Sequence, residues 1–286
     1  MPPQLILDSN YLAHMAKHSI KDLSWDGQQV GVIFGFLRRL LDLAKTFKTR
    51  HFIFVWDSKY YLRRELFPDY KIKRLAISKT EEERALDAVA YKQFDQLKNE
   101  VLPELGFKNN FEQYGYEGDD LIAIIVKSYP EESFTIISAD EDLYQLLSDN
   151  VVIYSLKKKQ AYTKHNLWKD FRIVPKEWAE VKSIAGCSSD EVPGIPGVKN
   201  VTASKFVARK LATNTSAYKA IRESTDIITK NRPLVTLPFK GVKAVEFIYN
   251  EKLPLKNFKS MCNKFGFRSF LDENQLKQWK QEIFYD

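Results

Sequence analysis

Cysteine and long apolar segments are scarce in this sequence. Its 286 residues include two cysteines, Cys187 and Cys262, which form neither a disulfide framework nor a paired zinc motif. The longest apolar stretches, such as residues 121–126, are far shorter than the roughly 18 to 20 residues of a membrane-spanning helix. No charged segment followed by an apolar one marks a secretion signal near the N-terminus. These absences predict a protein of a reducing compartment, with no membrane segment.

Several catalytic motifs are missing as well. The sequence has no glycine-rich dinucleotide or phosphate-binding loop and no Gly-x-Ser-x-Gly turn, which argues against nucleotide-dependent enzymes and serine hydrolases. The four histidines are not spaced as metal ligands or as members of a catalytic triad. We interpret each of them as a surface or packing residue.

Charged residues of both signs are abundant. The sequence has 44 Lys+Arg against 37 Asp+Glu, a formal net charge of +7. A basic balance suits a polyanionic partner such as nucleic acid, although a net charge of this size is also common among ordinary soluble proteins. With 44% hydrophobic residues, the chain can bury a core in one large domain or two smaller ones.

Four short apolar runs are typical of buried strands. They are residues 4–7, 51–56, 133–137 and 151–154. Helical periodicity separates them, most clearly over residues 28–45 and 78–105. Continuous apolar strands alternating with helices predict an α/β fold with a central, mostly parallel sheet flanked by helices. After about residue 171 the pattern becomes helical, which predicts a second, largely helical region.

Acidic residues follow the predicted strands and precede one predicted helix. They are Asp8, Asp57, Asp140 and Asp142 after the strands, and Glu117, Asp119 and Asp120 before the helix. The carboxyl ends of parallel strands meet at one edge of a sheet, so we expect these acids to converge. Each of them taken alone is more often a turn former or a helix cap. Their predicted convergence is what favours a functional site.

Clustered carboxylates repel one another and need protons or a cation. Oxygen ligands with no histidine or cysteine motif favour Mg²⁺, or Mn²⁺ in its place, over zinc. Two such ions, roughly 3.5 to 4 Å apart, can assist hydrolysis at phosphorus. The sequence therefore predicts metal-assisted hydrolysis of phosphodiesters.

Two basic segments are candidates for binding nucleic acid. Residues 59–74 mix basic side chains with tyrosines directly after Asp57, which suits phosphate neutralisation and stacking on unpaired bases. Residues 192–222 contain no acid, and their turn with Gly194 and Gly197 leads into a helix whose first N–H groups can bind phosphate. For either charge run taken alone, a solvated helix is the plainer interpretation.

In combination, these motifs resemble the 5′ nuclease family. That family comprises phage 5′-exonucleases or flap endonucleases, phage ribonuclease H and the 5′-nuclease domain of bacterial DNA polymerase I. The resemblance covers nearly the whole chain, and in length the chain is most similar to the phage members. It is carried by Ile6-Leu7-Asp8-Ser9-Asn10, Trp56-Asp57, Arg63-Arg64, Pro68-Asp69-Tyr70-Lys71-Ile72-Lys73-Arg74, Glu117-Gly118-Asp119-Asp120, Ser138-Ala139-Asp140-Glu141-Asp142-Leu143-Tyr144-Gln145-Leu146-Leu147 and Gly194-Ile195-Pro196-Gly197-Val198.

The resemblance implies a nuclease domain over residues 1–170, with a helical arch at about residues 59–100. Residues 171–286 would form a helical DNA-binding region with a helix–hairpin–helix at about residues 184–211, where the family often binds K⁺. The implied activity is 5′-to-3′ exonuclease and flap endonuclease action in DNA replication, with ribonuclease H action on RNA primers in some members. The implied partners are branched or 5′-ended DNA, RNA/DNA hybrid and replication proteins. We expect a monomer in the cytoplasm of a bacterial or phage-infected bacterial cell.

The resemblance also implies residue roles at two Mg²⁺ ions. The first ion would be held, directly or through water, by Asp8, Asp57, Glu117, Asp119 and Asp120. Toward the second ion would lie Asp140, Asp142 and Asp190.

The remaining implied roles concern nucleic acid. Lys71 and Arg74 resemble the basic pair that contacts the scissile phosphate, and Tyr70 resembles the ring on which a base stacks. Further contacts are expected from Arg63, Arg64, Lys73, Gly194, Gly197, Lys199 and Lys205.

One departure from the family pattern concerns the second metal. The family usually shows Gly-Asp-x-x-Asp-Asn before the hairpin, whereas this chain has Cys187 at the first aspartate position and Glu191 at the asparagine position. A thiol is a poor ligand for Mg²⁺. We therefore expect a weaker second site, some compensation of charge by Glu191 and a metal dependence shifted toward Mn²⁺.

Two alternatives stay open at this point. One is a single-strand ribonuclease of the related PIN-type architecture, which shares acids at strand ends but needs neither arch nor hairpin. The other is a DNA-binding homologue whose catalysis has weakened, with Cys187 as the first sign.

Overall fold

The apolar runs are strands in the structure, a computed structural model that describes residues 3–20, 22–73 and 80–285. The strands are β1 (Gln4–Asp8), β2 (Ser24–Trp25), β3 (Gln28–Gln29), β4 (Phe52–Val55), β5 (Asn110–Phe111), β6 (Phe134–Ile137), β7 (Val151–Ser155) and β8 (Gln160–Tyr162). All four predicted strands are confirmed, as β1, β4, β6 and β7. The sequence did not predict β2, β3, β5 and β8, because two or three residues are too few to show periodicity.

The helices occupy most of the remaining described chain. They are α1 (Ser9–Ser19), α2 (Gly31–Phe47), α3 (Arg63–Leu66), α4 (Glu81–Gln96), α5 (Leu102–Leu105), α6 (Gly118–Ser128), α7 (Lys164–Phe171), α8 (Trp178–Ala185), α9 (Asn200–Val207), α10 (Ser216–Glu223), α11 (Thr225–Val235), α12 (Leu255–Lys264), α13 (Arg268–Leu271) and α14 (Glu273–Glu282). Short 3₁₀ helices span Glu141–Leu146, Pro175–Glu177 and Ser188–Asp190, and a π-helical turn spans Leu97–Val101. None of the described helices is long and apolar enough to cross a membrane.

Six strands form one sheet in the order β5-β4-β1-β6-β7-β8. In this sheet the five neighbouring strands β5, β4, β1, β6 and β7 pair in parallel. Of the six strands, only β8 runs antiparallel to its neighbour, which is β7. In register, Leu7 lies between Phe54 on β4 and Ile137 on β6. The predicted mixed, mostly parallel sheet is therefore confirmed, and the ends of β1, β4 and β6 share one edge.

Both faces of the sheet are buried, which explains why its strands are apolar without alternation. Leu5, Leu7 and Phe54 face one hydrophobic cluster, which also contains Phe36 of α2 and Trp279 of α14. Ile6, Ile53 and Val55 face a second cluster, which contains Ile122 of α6 and Phe247. Residues beyond 171 thus pack on both faces of the sheet. The division into two domains at residue 170 stays a prediction.

Helix α4 is the main described element of the predicted arch region. Its N-cap is Thr80, whose hydroxyl accepts a hydrogen bond from the N–H of Glu83 at 3.2 Å, while the Glu83 carboxylate accepts one from the N–H of Thr80 at 2.8 Å. This reciprocal pair is a capping box. It begins the helix predicted over residues 78–105, and residues 74–79 lie outside the described part of the chain.

Candidate metal centre and nucleic-acid interface

Three strand ends deliver aspartates to the same edge of the sheet. Asp8 ends β1 and caps α1, accepting a hydrogen bond from the N–H of Tyr11 at 2.9 Å. The Ser138 hydroxyl, just after β6, donates to Asp8 Oδ2 at 3.0 Å and accepts from the N–H of Asp140 at 3.1 Å. Asp57 follows β4 and accepts a hydrogen bond from the N–H of Gly118 at 2.7 Å. The structure therefore brings Asp8, Asp57 and Asp140 together, as the parallel topology requires.

Asp119, in the first turn of α6, joins these three acids. The preceding residue, Gly118, lies close to the Asp57 side chain: a Cβ at this position would be 3.2 Å from Asp57 Oδ1. We call Asp8, Asp57, Asp119 and Asp140 the first cluster. Burial, followed by the charge of Asp57, raises the pKa of Asp8 to about 7. Burial, followed by the charges of Asp140, Asp8 and Asp57, raises the pKa of Asp119 well above its usual value. The first cluster therefore concentrates negative charge that Lys71 offsets only in part, and a cation would stabilise it.

Glu117 and Asp120 flank Asp119 but lie in a different environment. Two donors share Glu117 Oε2: Arg63 Nη1 at 3.0 Å and the Tyr70 hydroxyl at 2.7 Å. The Lys71 ammonium contacts the other oxygen, Glu117 Oε1. Burial opposes the charge of Glu117, but Lys71 and Arg63 outweigh it and lower the pKa of this carboxyl below its usual value. We call Arg63, Tyr70, Lys71, Glu117 and Asp120 the buried ion-pair network.

Asp120 is saturated by donors within this network. It is 0% exposed, and Arg63 binds it with both terminal nitrogens at 2.6 and 2.8 Å. The N–H groups of Phe239 and Glu117 donate to it at 2.7 and 3.1 Å. A carboxylate has about four lone-pair sites, so this geometry favours a structural role for Asp120 in place of the predicted role as a metal ligand.

Arg63 is likewise committed to the protein. It is 3% exposed, and its Nε donates to the carbonyl of Leu234 at 2.9 Å while its other nitrogens bind Asp120 and Glu117. In this conformation the guanidinium is paired with two buried carboxylates and is not available to a phosphate, and its predicted contact with nucleic acid stays a prediction.

The three residues predicted to act on the scissile phosphate differ in position. Tyr70 is 3% exposed, so its ring is not available for a base to stack on in this conformation. Lys71 Nζ contacts Glu117 and lies 3.6 Å from Asp190 Oδ1. It would have to leave these partners to bind a phosphate, and its predicted role stays a prediction. Arg74 lies outside the described residues.

A second group of candidate metal ligands lies beside the first cluster. Donor atoms of Asp142, Cys187 and Asp190 all lie within 4.8 Å of one another. Asp142 lies in the first turn of the 3₁₀ helix Glu141–Leu146 after β6, where its N–H donates to Asp140 Oδ1 at 2.8 Å. Backbone hydrogen bonds of 2.9 and 3.0 Å between Cys187 and Val192 close the loop that carries the other two. We call Asp142, Cys187 and Asp190 the second cluster.

The thiol gives this cluster an unusual donor set for a hard ion. Burial raises the pKa of Cys187 to about 11, so the neutral thiol is the form present at neutral pH. Cys187 Sγ lies 3.5 Å from Asp190 Oδ2 and 3.1 Å from the Ser189 hydroxyl. Glu191 lies outside this group of ligands in the described chain, with Oε1 3.8 Å from Lys73 Nζ. Its predicted compensation for Cys187 stays a prediction.

Sequence reasoning missed a buried lysine at the second cluster. Lys182 on α8 is 7% exposed, and its Nζ lies 2.9 Å from Asp142 Oδ1. Burial opposes the charge of Lys182, but Asp142 above all raises the pKa of the ammonium. A single lysine within the otherwise largely apolar run Val181–Ala185, five residues before Cys187, was the signal available in the sequence.

The other predicted nucleic-acid contacts stay predictions. Lys73, Lys199 and Lys205 are exposed, whereas Arg64 is half-buried and its Nε donates to the carbonyl of Tyr70 at 3.0 Å. The loop between α8 and α9 contains both predicted glycines.

Those two glycines have different surroundings. A Cβ at Gly194 would lie 2.0 Å from the carbonyl oxygen of Ala185, so this glycine allows the loop to pack against the end of α8. Gly197 has a φ of +77° and open space where a Cβ would be. Only Gly197 therefore leaves room for another molecule to approach its backbone.

An exposed aromatic pair lies on the two loops that follow Asp57 and precede Glu117 in the chain. The rings of Tyr60 and Tyr114 stack with centroids 5.5 Å apart and planes 13° from parallel. Tyr60 lies three residues after Asp57, and Tyr114, which is 77% exposed, lies three residues before Glu117. Gly115 holds this arrangement, because its N–H donates to the Ser58 hydroxyl at 3.0 Å. Sequence reasoning did not single out Tyr114.

Comparison with known proteins gives a consistent picture. Residues 3–172 match the family model described as the 5′-3′ exonuclease, N-terminal resolvase-like domain. The chain is 35% identical over 180 residues to the 5′-3′ exonuclease of Bacillus subtilis, an alignment that covers 60% of this chain and 57% of that protein. It is 30% identical over 207 residues to the thermostable DNA polymerase I of Thermus thermophilus, covering 71% of this chain and 23% of the polymerase. The chain thus spans little more than half of the first relative and about a quarter of the second.

A solved structure shares the fold over nearly the whole chain. The bacteriophage T5 flap endonuclease, in a complex with DNA and metal ions, matches with a TM-score of 0.71 at 20% identity and covers 96% of this chain and 98% of that one. At this level of identity the likeness supports the fold alone.

Proposed function

The chain belongs to the 5′-3′ exonuclease family, and from this premise we propose that it is a divalent-metal-dependent nuclease that hydrolyses phosphodiester bonds at 5′ ends and flaps of DNA. The relatives support the class of reaction: one is named a 5′-3′ exonuclease, and the flap endonuclease of the same fold was solved with DNA and metal ions. A role in DNA replication is consistent with the relationship to DNA polymerase I.

The observation that carries this proposal is the first cluster. Its donors are all carboxylate oxygens, which suit a hard ion, and we propose Mg²⁺ as that ion. Burial, followed by the charges of neighbouring acids, raises the pKa of Asp8 to about 7 and that of Asp119 well above its usual value, so a cation there would remove an electrostatic cost. The donor set and its charge therefore fit a divalent ion held by Asp8, Asp57, Asp119 and Asp140.

The surrounding residues would orient these ligands. The Ser138 hydroxyl and the Tyr11 N–H hold the two oxygens of Asp8, and the Gly118 N–H holds Asp57. A bound divalent ion supplies a lowered pKa for a coordinated water and neutralises charge on the phosphate. The protein contributes a rigid frame, because all of these contacts come from strand ends and the first turns of helices.

Substrate would approach over an aromatic and basic rim. Tyr114 offers an exposed ring, and Tyr60 is its stacking partner. Lys59 is next to Tyr60 in the chain, and its side chain is 82% exposed. Aromatic stacking and phosphate neutralisation bind unpaired strands without reading their sequence. We therefore propose that an unpaired 5′ strand passes along this rim. Binding of K⁺ at the loop between α8 and α9, action on RNA/DNA hybrids, replication partners and a monomeric state stay predictions.

The test compares a 5′-labelled flap duplex with a single strand of the same sequence, in Mg²⁺ and in chelator. We expect metal-dependent cleavage that favours the flap duplex. Asp119→Asn should reduce the rate about a thousandfold, because several kcal/mol of transition-state stabilisation depend on the ion. The matched control is Asp149→Asn at the opposite edge of the sheet, where Asp149 pairs with Lys164 on the surface at 2.7 Å.

Two results would decide against the proposal. Cleavage that is equal in Mg²⁺ and in chelator, or lost equally in both variants, would remove the role of the first cluster. Preference for unbranched single-stranded RNA would favour the PIN-type ribonuclease instead, and binding of DNA without any cleavage would favour the weakened homologue.

A further inference from the structure

The second cluster contains its own positive charge. Lys182 Nζ lies 2.9 Å from Asp142 Oδ1, and Lys71 Nζ lies 3.6 Å from Asp190 Oδ1. Each of the two carboxylates of this cluster therefore has an ammonium beside it. The third member is Cys187, a thiol where the family pattern has a carboxylate.

Positive charge has less effect at the first cluster, where Lys71 lowers the pKa of Asp119 by less than Asp140, Asp8 or Asp57 raises it. Four carboxylates meet there, and the groups whose charge acts on Asp8 are the acids Asp57 and Asp140. A divalent ion entering the first cluster meets net negative charge. A divalent ion entering the second cluster meets two carboxylates, the nearby charge of Asp140, a neutral thiol and a buried ammonium in direct contact with Asp142.

We propose that Lys182 takes the place of the second divalent ion, so that the protein binds one divalent ion, in the first cluster. Like charges repel strongly where water is excluded, and Lys182 is buried on α8 with no room to withdraw into solvent without breaking its pairing with Asp142. Cys187 stands where the family pattern has a carboxylate, so this cluster has one oxygen ligand fewer for a hard ion, which prefers oxygen ligands. Two of the three acids predicted to lie toward the second Mg²⁺, Asp142 and Asp190, thus each have an ammonium of the protein beside them.

This inference rests on the proposed nuclease function but concerns the number of ions and not turnover. If it holds, Lys182 is a positioning residue that fixes Asp142, and through the hydrogen bond from the Asp142 N–H it also helps to fix Asp140 of the first cluster. The positive charge that a second ion would bring to this side of the site comes instead from a side chain.

The test counts Mn²⁺ ions bound to the full-length protein without nucleic acid, by electron paramagnetic resonance of free Mn²⁺ and by calorimetry. We expect one ion for the wild type and none for Asp57→Asn in the same concentration range. Lys182→Met removes the ammonium at nearly constant volume, and Cys187→Asp adds a carboxylate. Each should admit a second ion, with an affinity at least about tenfold above any residual binding in the wild type.

The control is Lys176→Met, which removes an exposed lysine of the preceding 3₁₀ helix and should leave the count at one. Circular dichroism establishes that each variant is folded, and having two variants keeps the test informative if one of them is not. A second ion in folded Lys182→Met supports the inference, and a second ion in folded Cys187→Asp supports the part that assigns the loss of a ligand to the thiol. The inference is overturned if the wild type binds two ions with dissociation constants within about tenfold of each other, or if both folded variants still bind one.

A nuclease assay on the same samples separates the two proposals. An inactive wild type that binds one ion, and two after Lys182→Met, would leave this inference standing and remove the proposed function. An active wild type that binds two ions would do the reverse.

Discussion

The first cluster and the buried ion-pair network lie at the same edge of the sheet and differ in where positive charge comes from. In the network, Arg63 and Lys71 outweigh burial and lower the pKa of Glu117. In the first cluster, burial and neighbouring acids raise the pKa of Asp8 and Asp119. Acidic residues that look equivalent in the sequence therefore do different work, and the position of the nearest cation decides which of them can hold a metal.

The contrast is sharpest between two adjacent residues. Asp119 and Asp120 stand side by side in the first turn of α6, where successive side chains point about 100° apart around the helix. Asp119 faces the other acids of the first cluster, whereas Asp120 faces Arg63 and the N–H of Phe239. Removing the charge from one or the other should have opposite effects on stability.

The largest expected effect is the loss of stability in Asp120→Asn. This variant leaves Arg63 buried beside one carboxylate fewer, and breaking a buried ion pair in this way costs about 3 kcal/mol of the free energy of unfolding. Asp119→Asn removes one of several repelling charges, so the metal-free protein should be as stable as the wild type or more stable. Urea titrations in chelator measure both values.

The two variants serve as each other's control, because both replace Asp with Asn and the two residues are adjacent in the first turn of α6. Similar losses of stability in both would show that the acids do not differ as their surroundings indicate.

The sequence predicted the first cluster better than the network. Asp8, Asp57 and Asp140 could be placed because they end apolar runs, and parallel strands bring their ends to one edge whatever the loops do. Arg63 was predicted to contact nucleic acid, because nothing in a short basic segment shows that one arginine turns inward to Leu234 and Asp120. Residues brought together by tertiary packing, such as Lys182 with Asp142, are not neighbours in any local pattern.

The same contrast between committed and available groups separates two tyrosines. The Tyr70 hydroxyl donates to Glu117 and its ring is buried, whereas the Tyr114 ring is exposed and stacked on Tyr60. We expect Tyr114→Ala to weaken binding of a single-stranded 5′ flap by about 1 to 2 kcal/mol, or about 5- to 30-fold in Kd. Fluorescence anisotropy with a labelled flap, in Ca²⁺ to prevent turnover, measures this.

Two matched variants make the result specific to stacking at this rim. Tyr114→Trp should keep the affinity, because it retains an aromatic face. Tyr249→Ala removes another exposed tyrosine, whose hydroxyl donates to Glu132 at 3.1 Å, and should have no effect on the flap. Equal weakening in Tyr114→Ala and Tyr249→Ala would remove the proposed path of the strand.

The last comparison concerns the pH dependence of stability without metal. The pKa of Asp8 is raised from its usual value of 3.8 to about 7 in the folded protein, so folding retains a proton that unfolding releases between these values. The free energy of unfolding should therefore fall as the pH rises from about 4 to about 7, and most steeply between these values. Asp8→Asn should show a shallower fall, whereas the lowered pKa of Glu117 acts in the opposite direction and only at lower pH, near the usual value of 4.5. Thermal unfolding between pH 5 and 8 in chelator measures this difference in slope. A divalent ion should abolish the pH dependence, because the ion replaces the proton on Asp8. Identical slopes for the wild type and Asp8→Asn would contradict the expected titration of Asp8 and would mean that the protein itself neutralises the first cluster.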